Sequence, residues 1–409
     1  MRILFVTPYP PSCFRVRSAS FIKHLQRDHD VTVLALCRSV HDMADCQKLR
    51  QEHPALEVIT VQESKWRASL RAGRTLLSAD SMHVSYARSP RLTRTVQSLC
   101  AQQRFDVIHV EHLRGMAALA PLALSYPLVW DAVDCISLLY KQAAISARSR
   151  SWRFIASLEQ ERIRNAEAAL LHRPQRVLLT SERDRQAMLT MLETGEQNRD
   201  EHISVLPNGV DLDYFRPLAV ERKPFNLVFS GKMNYHPNVA TVLYLYEQVM
   251  PLIWQQQPKA TLTIVGSFPP AEIQRLARHP RVEVTGYVDD LRPYIARAEV
   301  MLCPMVYATG IQNKVLESMA LGTPVIISPK AAEALQAVPG RDLLVAETLR
   351  QFVEMTLNLF NNPARRAALS QAARAYVERH HNWQAITQQL VEIYSEASAD
   401  YTPFARLSC

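Results

Sequence analysis

Short apolar runs alternate along this chain with longer stretches in which apolar residues recur every three or four positions. The runs read as strands buried on both faces, and the stretches as helices that cover them. In the first half the strand-like runs are 2–7 (RILFVT), 31–36, 56–61, 106–110, 127–132 and 176–181. Helical spacing falls at 16–27, 89–103, 115–124, 150–171 and 182–192. In the second half the runs are 225–231, 260–266, 282–286, 300–304, 324–328 and 342–346. Helices are expected there at 238–256, 271–278, 290–297, 314–321, 347–361, 363–380 and 383–398. This alternation predicts an α/β protein with parallel sheets in series, hence two Rossmann-like domains. The polar, proline-bearing stretch 213–225 is the expected linker between them.

At 409 residues the chain is long enough for two domains of ordinary size. No apolar run reaches the ~18 residues of a membrane span. The start, MRILFVTPYPP, reads as a first strand rather than a signal peptide. Seven scattered cysteines without a CxxC pair suggest a reducing, cytoplasmic setting. The formal net charge of +8 is concentrated in the first half. Within 65–104 stand Lys65, Arg67, Arg71, Arg74, Arg88, Arg91, Arg94 and Arg104, with Asp80 the single acid. Trp66, Leu70, Leu76 and Leu77 are interleaved. Such a face suits an anionic membrane surface, and equally a solvated helix. No nucleic-acid module accompanies the charge, so no nucleic-acid partner is expected.

The chemistry concentrates in a few segments. TGIQNKVLESMALGTPV, from Thr309 to Val325, reads as a glycine turn, a helix and a second turn into a strand. Gly310 permits positive φ, and Asn313 is the expected N-cap of the helix that follows. A helix N-terminus offers unpaired N–H groups and partial positive charge to a phosphate, and Lys314 adds a full charge. Glu317, one turn on, offers two oxygens to a cis-diol such as a ribose; the alternative is a surface acid paired with Lys314. Six of the ten glycines (Gly209, Gly231, Gly266, Gly286, Gly310 and Gly322) stand in turns beside predicted strands. Lys232 sits at the carboxyl end of one of those strands, where open α/β sheets bind ligands. No GxGxxG follows the first strand, so a dinucleotide cofactor is not expected.

The 309–325 segment, together with LPNGVDLDYF (206–215), SGKMNYHPN (230–238) and TGYVDD (285–290), resembles the retaining, family 4 ("group 1") glycosyltransferases. That resemblance implies the GT-B fold, with two Rossmann-like domains whose parallel sheets face each other across a cleft. It implies an acceptor-binding domain at 1–215, a donor domain at 216–382 and a helix at 383–409 crossing back to the first domain. The activity it implies is transfer of a sugar from a nucleotide-diphosphate sugar to a glycan or lipid-linked acceptor of cell-surface polysaccharide synthesis. A nucleotide-sugar isomerase or hydrolase of the same fold, and a non-catalytic nucleotide-sugar binder, are the competing readings. The nucleotide sugar is a substrate, and neither a cofactor nor a metal is implied; no Asp-x-Asp motif appears. Peripheral association with the inner face of the membrane, through 65–104, accompanies the lipid-linked acceptor.

Residue by residue, the resemblance assigns donor contacts to Gly231, Lys232, Gly286, Val288, Gly310, Ile311, Gln312, Asn313, Lys314 and Glu317. The family's usual second basic residue after Lys232 is replaced by Pro237, and the first of its two glutamates by Thr309. Thr309 and the amides of residues 310–312 then become candidates for contacting the sugar. In the first domain, DVIHVEHLRG (106–115) resembles the family strand that ends in a pocket histidine. His112 is preferred for that place over Glu111, and His109 is expected in the strand as a core or pocket-wall residue. Arg15 and Arg17, after the first strand, are candidates for phosphate or an anionic acceptor. Asp131 and Asp134 either orient an acceptor or a histidine, or cap the next helix. The expected catalytic set is His112, Glu111, Lys232 and Glu317.

Overall fold

The computed structural model describes residues 1–12, 15–75, 78–147, 149–192, 201–307 and 310–401. Among these residues, thirteen strands fall into two parallel sheets. The first sheet contains β1 (Arg2–Thr7), β2 (Asp30–Cys37), β3 (Glu57–Gln62), β4 (Val107–Glu111), β5 (Leu128–Val133), β6 (Arg176–Leu179) and β7 (Ile203–Val205). Its order is β3-β2-β1-β4-β5-β6-β7. The second contains β8 (Asn226–Ser230), β9 (Thr261–Val265), β10 (Val282–Val284), β11 (Val300–Cys303), β12 (Val325–Ile327) and β13 (Leu344–Val345), in the order β10-β9-β8-β11-β12-β13. Each sheet therefore has the 3-2-1-4-5-6 sequence of strands that defines a doubly wound fold.

Chain contacts divide the molecule into two compact units. Unit 1 comprises Met1–Ala144, Phe154–Pro207 and Trp383–Cys409; unit 2 comprises Ile145–Arg153 and Asn208–Asn382. The division after Pro207 precedes the polar stretch 213–225. The reason lies in the residues just beyond it. Val210 N–H donates to the His381 carbonyl at 2.8 Å, and His381 Nδ1 meets the Asn208 carbonyl at 2.6 Å. These bonds bind the stretch to the second unit. The excursion Ile145–Arg153 also counts with unit 2, where the Trp152 ring lies 6.0 Å from that of His236.

Burial on both faces of the first sheet follows from its alternation. Leu4 and Val6 pack into one apolar layer, with Trp130, Met116 and Ile163. Ile3 and Phe5 point the other way, into a layer closed by Phe21, Trp383, Ile386, Leu390 and Tyr394. The last four come from the helix Trp383–Ala399, so this helix completes the core of the first unit. Unit 2 has one continuous core that includes Phe229, Ile264, Met301 and Met319.

Several elements differ from the sequence expectation. β7 is three residues long, too short to stand out among the polar residues beside it. The helix Val40–Glu52 buries only Cys46 and Leu49, which gives no periodic stripe to read. The helices Lys65–Arg74, Met82–Ala87, Ile136–Ser146 and Pro329–Ala332 were likewise not expected. The stretch expected as one helix over 238–256 is His236–Tyr244, a π turn at Leu245–Val249 and Met250–Gln256. Pro251 has no N–H to continue the ladder, and the π turn immediately before it absorbs the mismatch.

A charged network lies buried beneath the first sheet's second layer. Arg17 Nε and Nη2 donate to the two carboxylate oxygens of Asp131 at 2.6 and 3.0 Å. Arg17 Nη1 donates to the carbonyls of Leu206 and Pro207 at 3.0 and 3.1 Å. Asp131 is fully buried and Arg17 nearly so. His109 stacks on Phe5 at 4.1 Å, and its Nδ1 meets the Tyr394 hydroxyl at 2.8 Å. Burial pushes the His109 imidazole down to about 4, so it is neutral at physiological pH. The assignment of Arg17 and Asp131 to an acceptor or phosphate is thus corrected by geometry: each is the other's fixed partner. Arg17→Ala, which leaves Asp131 as an uncompensated buried charge, is expected to destabilise the chain by about 3–5 kcal/mol in chemical denaturation. Tyr394→Phe, which deletes one hydrogen bond, is expected to cost about 1 kcal/mol.

Candidate functional site

In unit 2, β8 has β9 on one side and β11 on the other, so the connections after β8 and β11 diverge. Divergence leaves a crevice at the carboxyl ends of the strands, the place where doubly wound sheets bind ligands. Gly231 and Lys232 follow β8, and the helix Asn313–Ala320 is the next one after β11.

The floor of this crevice requires glycine. Gly231 and Gly266, which follow β8 and β9, have φ of 148° and 151°. A Cβ on Gly266 would fall inside the Gly231 carbonyl, and one on Gly231 would meet Asn238 Nδ2 at 2.8 Å and Lys314 Cε at 3.1 Å. The contact shows that the Lys314 side chain lies against the end of β8. Close by are the buried hydroxyls of Ser230, the last residue of β8, and Ser267, two residues past β9, neither of which has a hydrogen-bond partner among the described residues.

Lys314 Nζ donates to Asn238 Oδ1 at 2.9 Å and Gln312 Oε1 at 3.2 Å, and lies 5.3 Å from the centroid of the Phe229 ring. Burial lowers its pKa. Glu317, half-buried one turn on, is pushed up to about 7 by desolvation, against the opposing pull of Lys314. Gly310 has φ of 59°, as the turn demands. The helix begins one residue earlier than expected. Gln312 is its N-cap, without a side-chain cap bond, and Asn313 is its first residue. Asn313 Oδ1 instead accepts from Asn208 Nδ2 at 3.0 Å. That bond links the PNGVD segment directly to the start of the helix. Ile311 is buried beside it. Thr309 lies outside the described residues.

Lys232 is exposed after Gly231, with its ammonium 5.6 Å from the Phe268 ring centroid. Gly286 has φ of 68°, and Val288 packs partly against the core. The acidic end of the same segment is structural. Asp290 accepts from Arg292 at 2.8 and 2.9 Å, and Tyr214 OH donates to it at 3.3 Å.

Unit 1 has the corresponding divergence between β1 and β4. His112 stands at the end of β4 with φ of 65°, a left-handed conformation that is strained outside glycine. Burial and the charges of Arg114 and Arg15 push its imidazole down to about 3. Glu111 is buried, accepts from Thr7 Oγ1 at 2.7 Å, and has its pKa raised by desolvation. Arg15 lies over the Tyr9 ring at 4.0 Å. Arg114 bonds the Tyr9 hydroxyl and donates from Nε to His83 Nε2 at 3.2 Å. Arg114, Tyr9, His83 and Asn238 were missed by sequence reasoning. The HLRG segment contains Arg114, so a basic residue two positions past His112 was the available signal.

Asp134 does not cap the next helix. Glu167 does so, accepting from Ile136 and Ser137 N–H at 2.8 and 3.2 Å, while Asp184 accepts from Cys135 N–H at 3.1 Å. Asp134 accepts from Thr180 Oγ1 at 3.3 Å and is pushed up to about 7 by burial and by Asp184. Among the described residues no group of three or more His, Cys, Asp or Glu side chains is placed to hold a metal ion.

Comparison with known proteins bears on the family and the fold. The model of glycosyltransferase family 4 matches residues 16–214, and that of glycosyl transferases group 1 matches residues 224–362. A curated relative is the GDP-mannose-dependent monoacylated alpha-(1-6)-phosphatidylinositol monomannoside mannosyltransferase of Corynebacterium glutamicum. It is 27% identical over 208 residues, which are 46% of this chain and 55% of that protein. The match thus spans about half the length of that relative. Sucrose-phosphate synthase from Thermosynechococcus elongatus superposes with a TM-score of 0.74 at 17% identity, over 98% of this chain and all of that one. Anabaena HepE in complex with UDP-glucose superposes with a TM-score of 0.67 at 16% identity, over 97% of this chain and all of that one. These structures share the fold. With both halves matched in order and a doubly wound sheet in each, the chain belongs to the group 1, family 4 glycosyltransferases and has the GT-B fold.

Proposed function

We propose that the chain transfers a sugar from a nucleotide-diphosphate sugar to a saccharide acceptor, with retention at the anomeric carbon. The observation that carries this reading is the buried Lys314 ammonium, held against the glycine end of β8 by Asn238 and Gln312. A buried cation at a switch point, beside a helix N-terminus, suits a diphosphate. The mannosyltransferase relative is named as GDP-mannose-dependent, and HepE was solved with UDP-glucose. Both names support a nucleotide-sugar donor without choosing its base.

In this reading the diphosphate meets Lys314, Lys232 and the amides of residues 310–313, and Glu317 accepts from the ribose diol. Gly286 and Val288 lie toward the base. As the bond from the anomeric carbon to the diphosphate oxygen breaks, its electron pair stays on the phosphate, where the fixed positive groups stabilise it. The acceptor oxygen bonds to the anomeric carbon and its proton passes to the departing phosphate, so no protein nucleophile is required. Neutral His112 and Arg15 in unit 1 are assigned to the acceptor side, with Glu111 holding the loop through Thr7.

The acceptor proposed is a glycan or a lipid-linked saccharide of cell-surface polysaccharide synthesis, met at an anionic membrane surface. Among the described residues no helix is long and apolar enough to cross a membrane. The helix Lys65–Arg74 instead exposes Trp66 (69%) and Leu70 (42%) among Lys65, Arg67 and Arg74. Arg71 is bonded to Glu63 at 2.9 Å, and Leu76 and Leu77 lie outside the described residues. Aromatic and aliphatic side chains ringed by cations match the interface of an anionic bilayer.

Three tests follow from these assignments. Screening UDP-, GDP-, ADP- and TDP-sugars by thermal shift should find one base that raises the melting temperature. Lys232→Ala should weaken that donor roughly 10- to 100-fold in titration calorimetry with unchanged stability. Stabilisation by none of the four would refute the donor reading.

The Glu317 carboxyl gives opposite pH trends for stability and binding. Its folded pKa, about 7, exceeds the usual 4.5, so the folded state holds a proton that the unfolded state releases between those values. Its contribution to stability is complete below the lower value and declines as pH rises through 7. The diol needs the ionised form, so donor affinity should rise about tenfold between pH 6 and 8. Glu317→Gln should flatten both profiles; a wild-type donor affinity independent of pH would remove Glu317 from the ribose.

Sedimentation with phosphatidylglycerol vesicles should capture the chain, and neutral vesicles should not. Trp66→Glu should weaken capture roughly tenfold. Equal capture by both vesicle types would exclude the proposed surface.

A further inference from the structure

We propose that Phe268 is a positioning residue for Lys232, a role that rests on Lys232 meeting the donor diphosphate. Lys232 is a long, exposed side chain on a loop, and such a side chain loses rotamer entropy when it is fixed on a ligand. The structure limits its freedom from one neighbouring turn, residues 265–268 after β9. Gly231 N–H donates to the Val265 carbonyl at 3.0 Å, and Met233 N–H donates to the Ser267 carbonyl at 2.8 Å. The backbone on either side of Lys232 is thereby pinned to that turn. The Lys232 carbonyl accepts from Asn238 Nδ2 at 2.9 Å, the residue that also holds Lys314. The Phe268 ring then lies 5.6 Å from the Lys232 ammonium, within cation–π range.

Phe268 occupies this place at a conformational cost. Its φ is 57°, and it is one of four non-glycine residues with positive φ among those described. Another, Phe225, has a comparable φ of 56°, but its ring packs against Phe360 at 5.4 Å and against the core. Core packing accounts for Phe225. Phe268 is 54% exposed, so burial does not account for it in the same way. Asparagine or glycine would satisfy the backbone with less strain. Backbone strain retained at an exposed aromatic beside a ligand-binding loop points to the ring's effect on its neighbour. That neighbour is the cation at the end of β8. The ring restricts the directions open to the ammonium.

A double-mutant cycle on the whole chain tests this, with UDP, GDP, ADP and TDP as titrants in calorimetry. Phe268→Gly should weaken whichever nucleoside diphosphate binds by roughly two- to fivefold. Its melting temperature should equal or exceed that of the wild type, because the backbone strain is relieved. Phe268→Tyr, which keeps the ring, should bind like the wild type. Combined with Lys232→Ala, Phe268→Gly should cost nothing further, because its effect passes through the lysine. Wild-type affinity in Phe268→Gly, full additivity in the double variant, or a melting temperature that falls in step with affinity would each overturn the proposal. A wild-type chain that binds none of UDP, GDP, ADP and TDP would overturn the donor reading itself, whatever the Phe268 variants do.

Discussion

A parallel sheet covered by helices on both faces has no exposed surface except at its ends. That constraint governs both units of this protein. β4 and β8 are buried along their whole length, and β1 from its second residue. A charge cannot be held within such a strand unless it is paired, because an unpartnered charge in that environment is too costly. The interior solutions are visible: Arg17 closes on Asp131, and His109 is held neutral between Phe5 and Tyr394. Groups available for chemistry are left at the carboxyl ends, where the strand order reverses. Lys232 and Lys314 in one unit, and Arg15 and His112 in the other, stand there.

At the donor end the important quantity is separation rather than charge count. Gly231 and Gly266 let two strand ends approach more closely than any side chain allows, and Lys314 settles against that contact. Its ammonium is desolvated but hydrogen-bonded to two neutral amide oxygens, those of Asn238 and Gln312. Neutral partners hold the lysine without cancelling its charge. The carboxyl of Glu317 nearby is itself pushed toward neutrality by burial. The net effect is a positive potential that water screens weakly.

The sequence conveyed the architecture well wherever a strand was continuous and apolar. RILFVT (2–7) became β1 with the same bounds, because nothing but burial on both faces explains six such residues in a row. Elements with one or two buried residues escaped notice, as Val40–Glu52 shows. Glycines carried more information than charges about the site. Gly231, Gly266 and Gly310 all have the positive φ that their turns require. Charged residues misled where a partner lay far away in sequence. Arg17 and Asp131 are 114 positions apart, and only a folded core reveals that each is committed to the other. Asn238 was invisible as a site residue for the same reason: its partner, Lys314, lies 76 positions on. Phe268 gave no signal because strain is a property of φ, which the residue name does not disclose.

The helix Trp383–Ala399 carries one further consequence, for biosynthesis. Phe21, Phe5 and His109 are made early, yet the layer that covers them includes Trp383, Leu390 and Tyr394. A nascent chain therefore emerges from the ribosome with this apolar surface uncovered, and it stays so while all of unit 2 is translated. Unit 2, from Asn208 to Asn382 apart from the short earlier excursion, is nearly contiguous and can collapse first. Order of synthesis and order of completion are thus inverted, and the interval between them is when a chaperone would find its binding surface.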